Sequence, residues 1–209
     1  MPRLLPLFPL QVVALPGNVV PLHIFEPRYR ELVGNAEASG AEFGIVLAKG
    51  EGIVNAGCTV VVESIPQRYQ DGRFDVITRG RRRFNLLAVD NEQEVLRGEV
   101  EFFGDDDLRP AAPEYRTRAL QACLEIHAAM EDSTPAPKVD LADPELSFRL
   151  AQVLRDVDFQ DAILRERSET RRLELIIATA PKYVERTQYA EKMKHKAGTN
   201  GHGHKPQGL

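Results

Sequence analysis

Along the first hundred residues, short apolar stretches alternate with turn formers, and the two patterns together predict β structure with one helix. The stretches fall at 4–8, 12–15, 21–25, 43–48, 59–65, 74–78, 84–89 and 95–103. Between them stand Pro16-Gly17-Asn18, Gly50 and Gly52, Asp71-Gly72, Asp90-Asn91 and Gly104. In the last stretch Leu96, Val100 and Phe102 share one face while Arg97, Glu99 and Glu101 share the other. That period of two belongs to a strand with one wet face. Val60, Val61 and Val62 are apolar on both faces, as in a central strand. Asp71-Gly72, flanked by Gln67-Arg68-Tyr69 and Phe74-Asp75-Val76, is a hairpin signal. Many short strands at this spacing favour a small barrel or sandwich over a parallel sheet. The helix is expected at 27–38, where Tyr29, Leu32, Val33 and Ala36 recur at helical spacing behind Pro27, a natural first-turn residue.

The pattern changes at Asp105-Asp106-Asp107-Leu108-Arg109-Pro110, an acidic linker ending in proline. Helices are expected beyond it. Residues 113–130 place Tyr115, Ala119, Ala122, Cys123, Ile126 and Met130 on one face, and a proline-rich loop follows at 132–138. Asp143-Pro144-Glu145 reads as an N-cap with proline at the first helical position, opening a helix striped by Leu146, Leu150, Val153, Leu154 and Val157. A short helix around 159–164 leads to Ser168-Glu169-Thr170-Arg171, and a final long helix carries Leu173, Ile176, Ile177, Ala180 and Val184. Pro181 should kink or divide that helix. The expected organisation is a β-rich part at 1–108, a helical part at 109–194 and a disordered tail at 195–209, with no internal repeat.

Three strings in this frame resemble the Lon N-terminal domain family. The first runs Leu5-Pro6-Leu7-Phe8-Pro9-Leu10, then Leu15-Pro16-Gly17, then Pro21-Leu22-His23-Ile24-Phe25-Glu26-Pro27-Arg28-Tyr29-Arg30, and it is the specific one. Gly80-Arg81-Arg82-Arg83-Phe84 is similar to a second family strand. Asp158-Phe159-Gln160-Asp161 through Leu164 to Arg171-Arg172-Leu173 is similar to a helical segment. The resemblance spans residues 3 to 185. It implies an α+β fold, a PUA-like pseudo-barrel of about six strands followed by a helical bundle. It also implies substrate recognition, because in Lon proteases this region selects unfolded chains. Full Lon enzymes continue into an ATPase and a Ser-Lys peptidase, and the resemblance leads to the expectation of a stand-alone member lacking both.

Composition narrows the chemistry. The 209 residues are 43% hydrophobic and 28% charged, ordinary for a globular protein, with a net charge of −4 and a pI near 5.8. An acidic balance argues against a main task of gripping nucleic-acid phosphates. The Gly-x4-Gly-Lys-Ser/Thr string that cradles phosphates is absent: Gly50-Glu51-Gly52 follows Lys49 without a second half. The Gly-x-Ser-x-Gly elbow is missing, and Ser39, Ser64, Ser133, Ser147 and Ser168 carry no neighbouring motif. Cys58 and Cys123 lie far apart among apolar residues and read as buried thiols. His23, His127, His195, His202 and His204 include no paired metal motif, and His202-Gly203-His204 reads as flexible tail. No catalytic residue, metal site or cofactor is expected, and no partner-binding residue is assignable.

Two features remain open. The run Arg79-Gly80-Arg81-Arg82-Arg83-Phe84 could contact RNA, or its arginines could pair with carboxylates such as Asp75, Asp90 and Glu92. In the signature stretch, Phe25 and Tyr29 are expected to lock the helix onto the barrel, while Glu26 and Arg28 form caps or ion pairs. The leading reading is a cytoplasmic, non-catalytic module for unfolded or apolar polypeptides, with a protease or chaperone as a further candidate partner and no membrane or nucleic acid. Its groove is expected on the barrel or at the junction with the bundle. The alternative is an RNA-binding PUA-like protein using 79–84.

Overall fold

Six strands emerge from the eight apolar stretches in the computed structural model, which describes residues 4–199 apart from 108, 131–135 and 137 and the side chains of 191 and 194–199. They are β1 (Leu4–Leu10), β2 (Val19–Ile24), β3 (Phe43–Lys49), β4 (Gly52–Arg68), β5 (Phe74–Asp90) and β6 (Arg97–Phe103). Residues 12–15 form no strand, although Ala14 and Leu15 are buried. The stretches at 74–78 and 84–89 fuse through the arginine run into β5, which is 17 residues long. The hairpin expected at Asp71-Gly72 joins β4 to β5: Arg68 pairs with Phe74, Gly72 N–H donates to Tyr69 O (3.1 Å), and Gly72 has φ 84°.

The strand order is β2-β5-β4-β3-β1-β6, with β6 returning to pair with β5. Five strands therefore close a barrel, and β2 extends β5 as a sixth strand outside the ring. β1 and β3 run parallel, and the other pairs are antiparallel. Leu5, Leu7, Val46 and Phe84 fill the barrel. Room for them comes from residues without side chains: a Cβ on Gly44 would lie 2.8 Å from Leu7 Cδ2 and 2.9 Å from Phe84 Cζ.

The opposite face of the sheet carries the larger core. Phe8, Phe43, Ile45, Cys58, Val60 and Val76 pack with helical residues including Phe148, Leu150, Ile163, Leu173 and Ile176. The helices are α1 (Pro27–Ser39), α2 (Pro113–Ala129), α3 (Leu146–Ala151), α4 (Val157–Arg165) and α5 (Glu169–Thr199). α1 begins at Pro27 as expected and ends on Gly40 at φ 66°. The helix expected from 144 through Val157 is cut short, and the short helix expected around 159–164 appears as α4, beginning at Val157. α3 stops at Ala151, Val153 and Leu154 stay buried on non-helical backbone, and Asp156 caps α4 by accepting from Phe159 N–H (3.1 Å). α5 is continuous through Pro181 rather than divided there. It also takes in 195–199, which were expected to lack structure; the rest of the expected tail, 200–209, lies outside the described residues.

Candidate functional site

The fifth residue of the arginine run, Arg83, ties the barrel to the helices. Gly80 is forced by the close passage of Leu15 O, where any Cβ would collide, and three residues later Arg83 points to the helices. Arg83 donates to Leu164 O (3.1 Å) and Glu166 O (2.7 Å) and pairs with Asp105. From α5, the fully buried Arg172 holds both Asp105 oxygens at 2.7 Å, Glu169 Oε2 at 2.9 Å and Ser147 Oγ at 2.7 Å. Glu169 in turn accepts from Ser147 N–H (3.0 Å) and Ser147 O–H (2.6 Å). The Phe148 ring lies against both guanidiniums, 4.3 Å from Arg172 and 5.3 Å from Arg83. Burial opposes the Asp105 charge, yet hydrogen bonds and attraction from Arg172 and Arg83 hold its carboxyl below the usual carboxylate range. The acidic linker is thus pinned: Asp106 N–H donates to Arg167 O (2.9 Å), and Asp107 bridges Ser168. Asp105, Ser147 and Glu169 carried no motif of their own; their signal is burial beside an arginine.

This network floors a cleft of about 460 Å³ between barrel and helices, walled by Pro16, Phe102, Phe103, Pro144 and Phe148. The run does pair with carboxylates, but not with those expected. Arg79 takes Glu63, Arg82 takes Glu42 (2.8 Å) while lying 4.0 Å from the Phe102 centroid, and Arg83 takes Asp105. Asp75 pairs with His23 instead, and Asp90 accepts from Glu92 N–H. Strand geometry explains it: partners come from the neighbouring strand β4, the loop before β3 and the linker after β6, not from the next turn in sequence. Arg81 alone of the four is exposed without an ion pair among the described residues, a poor footprint for a phosphate backbone.

A second surface follows β2. Its edge away from β5 carries no strand among the described residues. Val20 and Ile24 point into the core, so parity turns Val19, Pro21 and His23 outward, and Phe25, just past the end of the strand, is exposed as well. Val19 is 43% and Phe25 59% exposed. Phe25 was expected in the core; it lies outside because Ile24 occupies the inward position. The alternation of Val20, Leu22 and Ile24 was the signal that could have shown it. Tyr29 does fasten α1 to the barrel, stacked on Phe8 at 3.9 Å between centroids. Glu26 makes no side-chain cap but pairs with Arg28 at 2.8 Å.

Phe25 stacks on His23 (6.3 Å), and His23 meets the edge of Tyr69 (5.8 Å). Asp75 underlies the group, 2.6 Å from His23 Nδ1 and accepting from Tyr69 O–H at 2.8 Å. Those hydrogen bonds, from His23 first and then Tyr69, lower the Asp75 carboxyl below its ordinary value. The result is an apolar and aromatic ledge fixed by one carboxylate, beside an open strand edge. Such a surface is suited to an extended chain: backbone pairing along the edge and an apolar contact on the ledge.

Elsewhere, Cys58 and Cys123 are free buried thiols, and burial pushes both up to about 12, well out of nucleophilic reach. Among the described residues no three His, Cys, Asp or Glu are placed to hold a metal ion, and no helix is long and apolar enough to cross a membrane. The side chains of His195, His202 and His204 lie outside the described residues.

Comparison with known proteins supplies the family. The sequence profile of the ATP-dependent protease La (LON) substrate-binding domain matches residues 4–188. Lon protease 1 of Hydrogenovibrio crunogenus is 27% identical over 132 residues, 60% of this chain but only 16% of that protein. The fold is similar to the crystal structure of a Lon N-terminal domain protein from Xanthomonas campestris, with a TM-score of 0.65 and 29% identity, covering 84% of this chain and 98% of that one. The N-terminal domain of a Mycobacterium avium complex Lon protease shares the fold at 17% identity and a TM-score of 0.54, over 86% of this chain and 98% of that one. With the profile running across barrel, network and bundle alike, the chain belongs to the LON substrate-binding domain family.

Proposed function

We propose that this chain is a non-catalytic module that captures unfolded or partly folded polypeptides, holding an extended, apolar-rich segment against the outer edge of β2. The observation that carries the reading is Phe25, a large exposed aromatic immediately after β2, a strand whose edge away from β5 is unpaired among the described residues. Leaving such a side chain in water forgoes the ~1.5–3 kcal/mol that burial would return, and capture of an apolar segment supplies that burial. The six residues of β2 span roughly 20 Å, enough to pair with a segment of similar length. Pro21 removes one backbone donor from the strand, which tempers indiscriminate edge pairing. Family membership supports the same reading.

Affinity in the micromolar range, about −8 kcal/mol, suits recognition of many sequences by one short edge. The test is fluorescence anisotropy with a labelled unfolded peptide and a labelled RNA of similar length, each at low and high salt. Peptide binding should persist at high salt, because apolar burial and backbone pairing are not screened. RNA binding alone, collapsing as salt rises, would refute the proposal in favour of the arginine run.

A further inference from the structure

Arg97 stands apart from the arginines around it. Arg79, Arg82, Arg83, Arg149, Arg165 and Arg172 each hold a carboxylate. Arg97 opens β6, in register with Pro6 on β1 and Asp90 on β5. It is half-buried, its Nε is buried without a hydrogen-bond partner, and its side chain takes part in no ion pair among the described residues. The carboxylate opposite it, Asp90, is committed to Glu92 N–H at 2.9 Å. Glu42 nearby is committed to Arg82, and Arg28 to Glu26. A buried guanidinium N–H without an acceptor is costly, and a half-buried cation with no carboxylate beside it leaves a place open for an anion.

That place is a cleft of about 400 Å³ between α1 and the start of β6, within the range of small-ligand sites. Its walls beside Arg97 are apolar: Pro6, Leu32, Phe43 and Val95. Glu31, Glu42 and Glu94 also line it. They repel a phosphate dianion or an acidic stretch of chain, and so select a single carboxylate with apolar atoms next to it. The C-terminal residue of a polypeptide offers both at once, its α-carboxylate for Arg97 and its side chain for the walls. Building on the polypeptide-binding reading, we propose that this cleft receives the C-terminal carboxylate of an unfolded chain ending in an apolar residue, with Arg97 as its anchor. The cleft borders α1, which starts just after Phe25, so a chain end seated there could continue toward the β2 ledge.

Three labelled peptides of one sequence decide the matter: one ending in a free leucine, one with that end amidated, and one amidated with an internal aspartate. The free acid should bind the protein about tenfold more tightly than either amide, the discrimination expected of one charge-assisted pair. Arg97→Gln should lose this preference while keeping the affinity for the amide, and its urea midpoint should equal or exceed that of the parent, since the cation removed had no partner. The Arg97 Nε–H resonance should also shift with the free acid and not with the amide, which needs no variant. Equal binding of acid and amide, or an undiminished preference in Arg97→Gln, would overturn the proposal while leaving capture along β2 intact. Binding of none of the three peptides would overturn both.

Discussion

Arg172 has no contact with water and holds two carboxylates, a hydroxyl and a carbonyl at once. Removing it would leave Glu169 buried without a cation and Asp105 with Arg83 alone, so Arg172→Met should lower stability in urea melts by about 3–5 kcal/mol. Arg172→Lys should not restore it, because a point charge cannot bridge partners arranged for a planar fork. The same network predicts an acid response. The Asp105 carboxyl lies lower in the folded protein than the roughly 3.9 of an unfolded chain. Its contribution is therefore complete above that unfolded value and drains away as pH falls through the folded one. Urea midpoints of Asp105→Asn should fall below those of the parent at pH 7 and approach them below about pH 4. A constant gap down the pH range would exclude Asp105 as the titrating group. Among the aromatics, Phe84→Ala should cost about 3–5 kcal/mol, because Phe84 fills the barrel. Phe25→Ala should leave the midpoint in place and weaken peptide binding.

Elements built on local signals were legible in the sequence, and those built on distant neighbours were not. The Asp71-Gly72 hairpin and the Pro27 start of α1 each depend on residues a few positions apart, and both appear where expected; β6 forms, but its expected dry face does not, since Phe102 is exposed and Val100 is no more buried than Glu99. The fusion of two stretches into β5 could not be seen, because the charged middle of the strand is neutralised by Glu42, Glu63 and Asp105, 40, 16 and 22 residues away. The early end of α3 was hidden by Val153 and Leu154, whose burial in a turn extends the helical stripe past the helix itself. The position of Phe25 was masked by its apolar neighbours, and the candidate binding surface with it. Glycines give the sharpest element-scale test. Gly34 in α1 has open space around a would-be Cβ, so Gly34→Ala should stabilise by roughly 0.5–1 kcal/mol in a thermal or urea melt. Gly80→Ala should destabilise, because the strand there passes against Leu15 O. Equal effects of the two would mean that β5 can move away from the 12–15 segment.

At the scale of the whole molecule, strands and helices share one core and one buried ion network, although the sequence changes character sharply near residue 108. Far-UV circular dichroism and tyrosine fluorescence should therefore report one coincident unfolding transition. Separate transitions would show that the β-rich and helical parts stand alone. A rigid body of this kind, with Phe25 and the β2 edge facing solvent, explains why recognition is expected on one face and not by closure around a substrate. That claim is tested most directly by hydrogen exchange with and without an unfolded, apolar-rich polypeptide. The account predicts slowed exchange concentrated in β2, Val19–Ile24, with Phe25→Ala reducing the effect. Protection centred on the arginine run at 79–84, or none anywhere on the barrel, would contradict it.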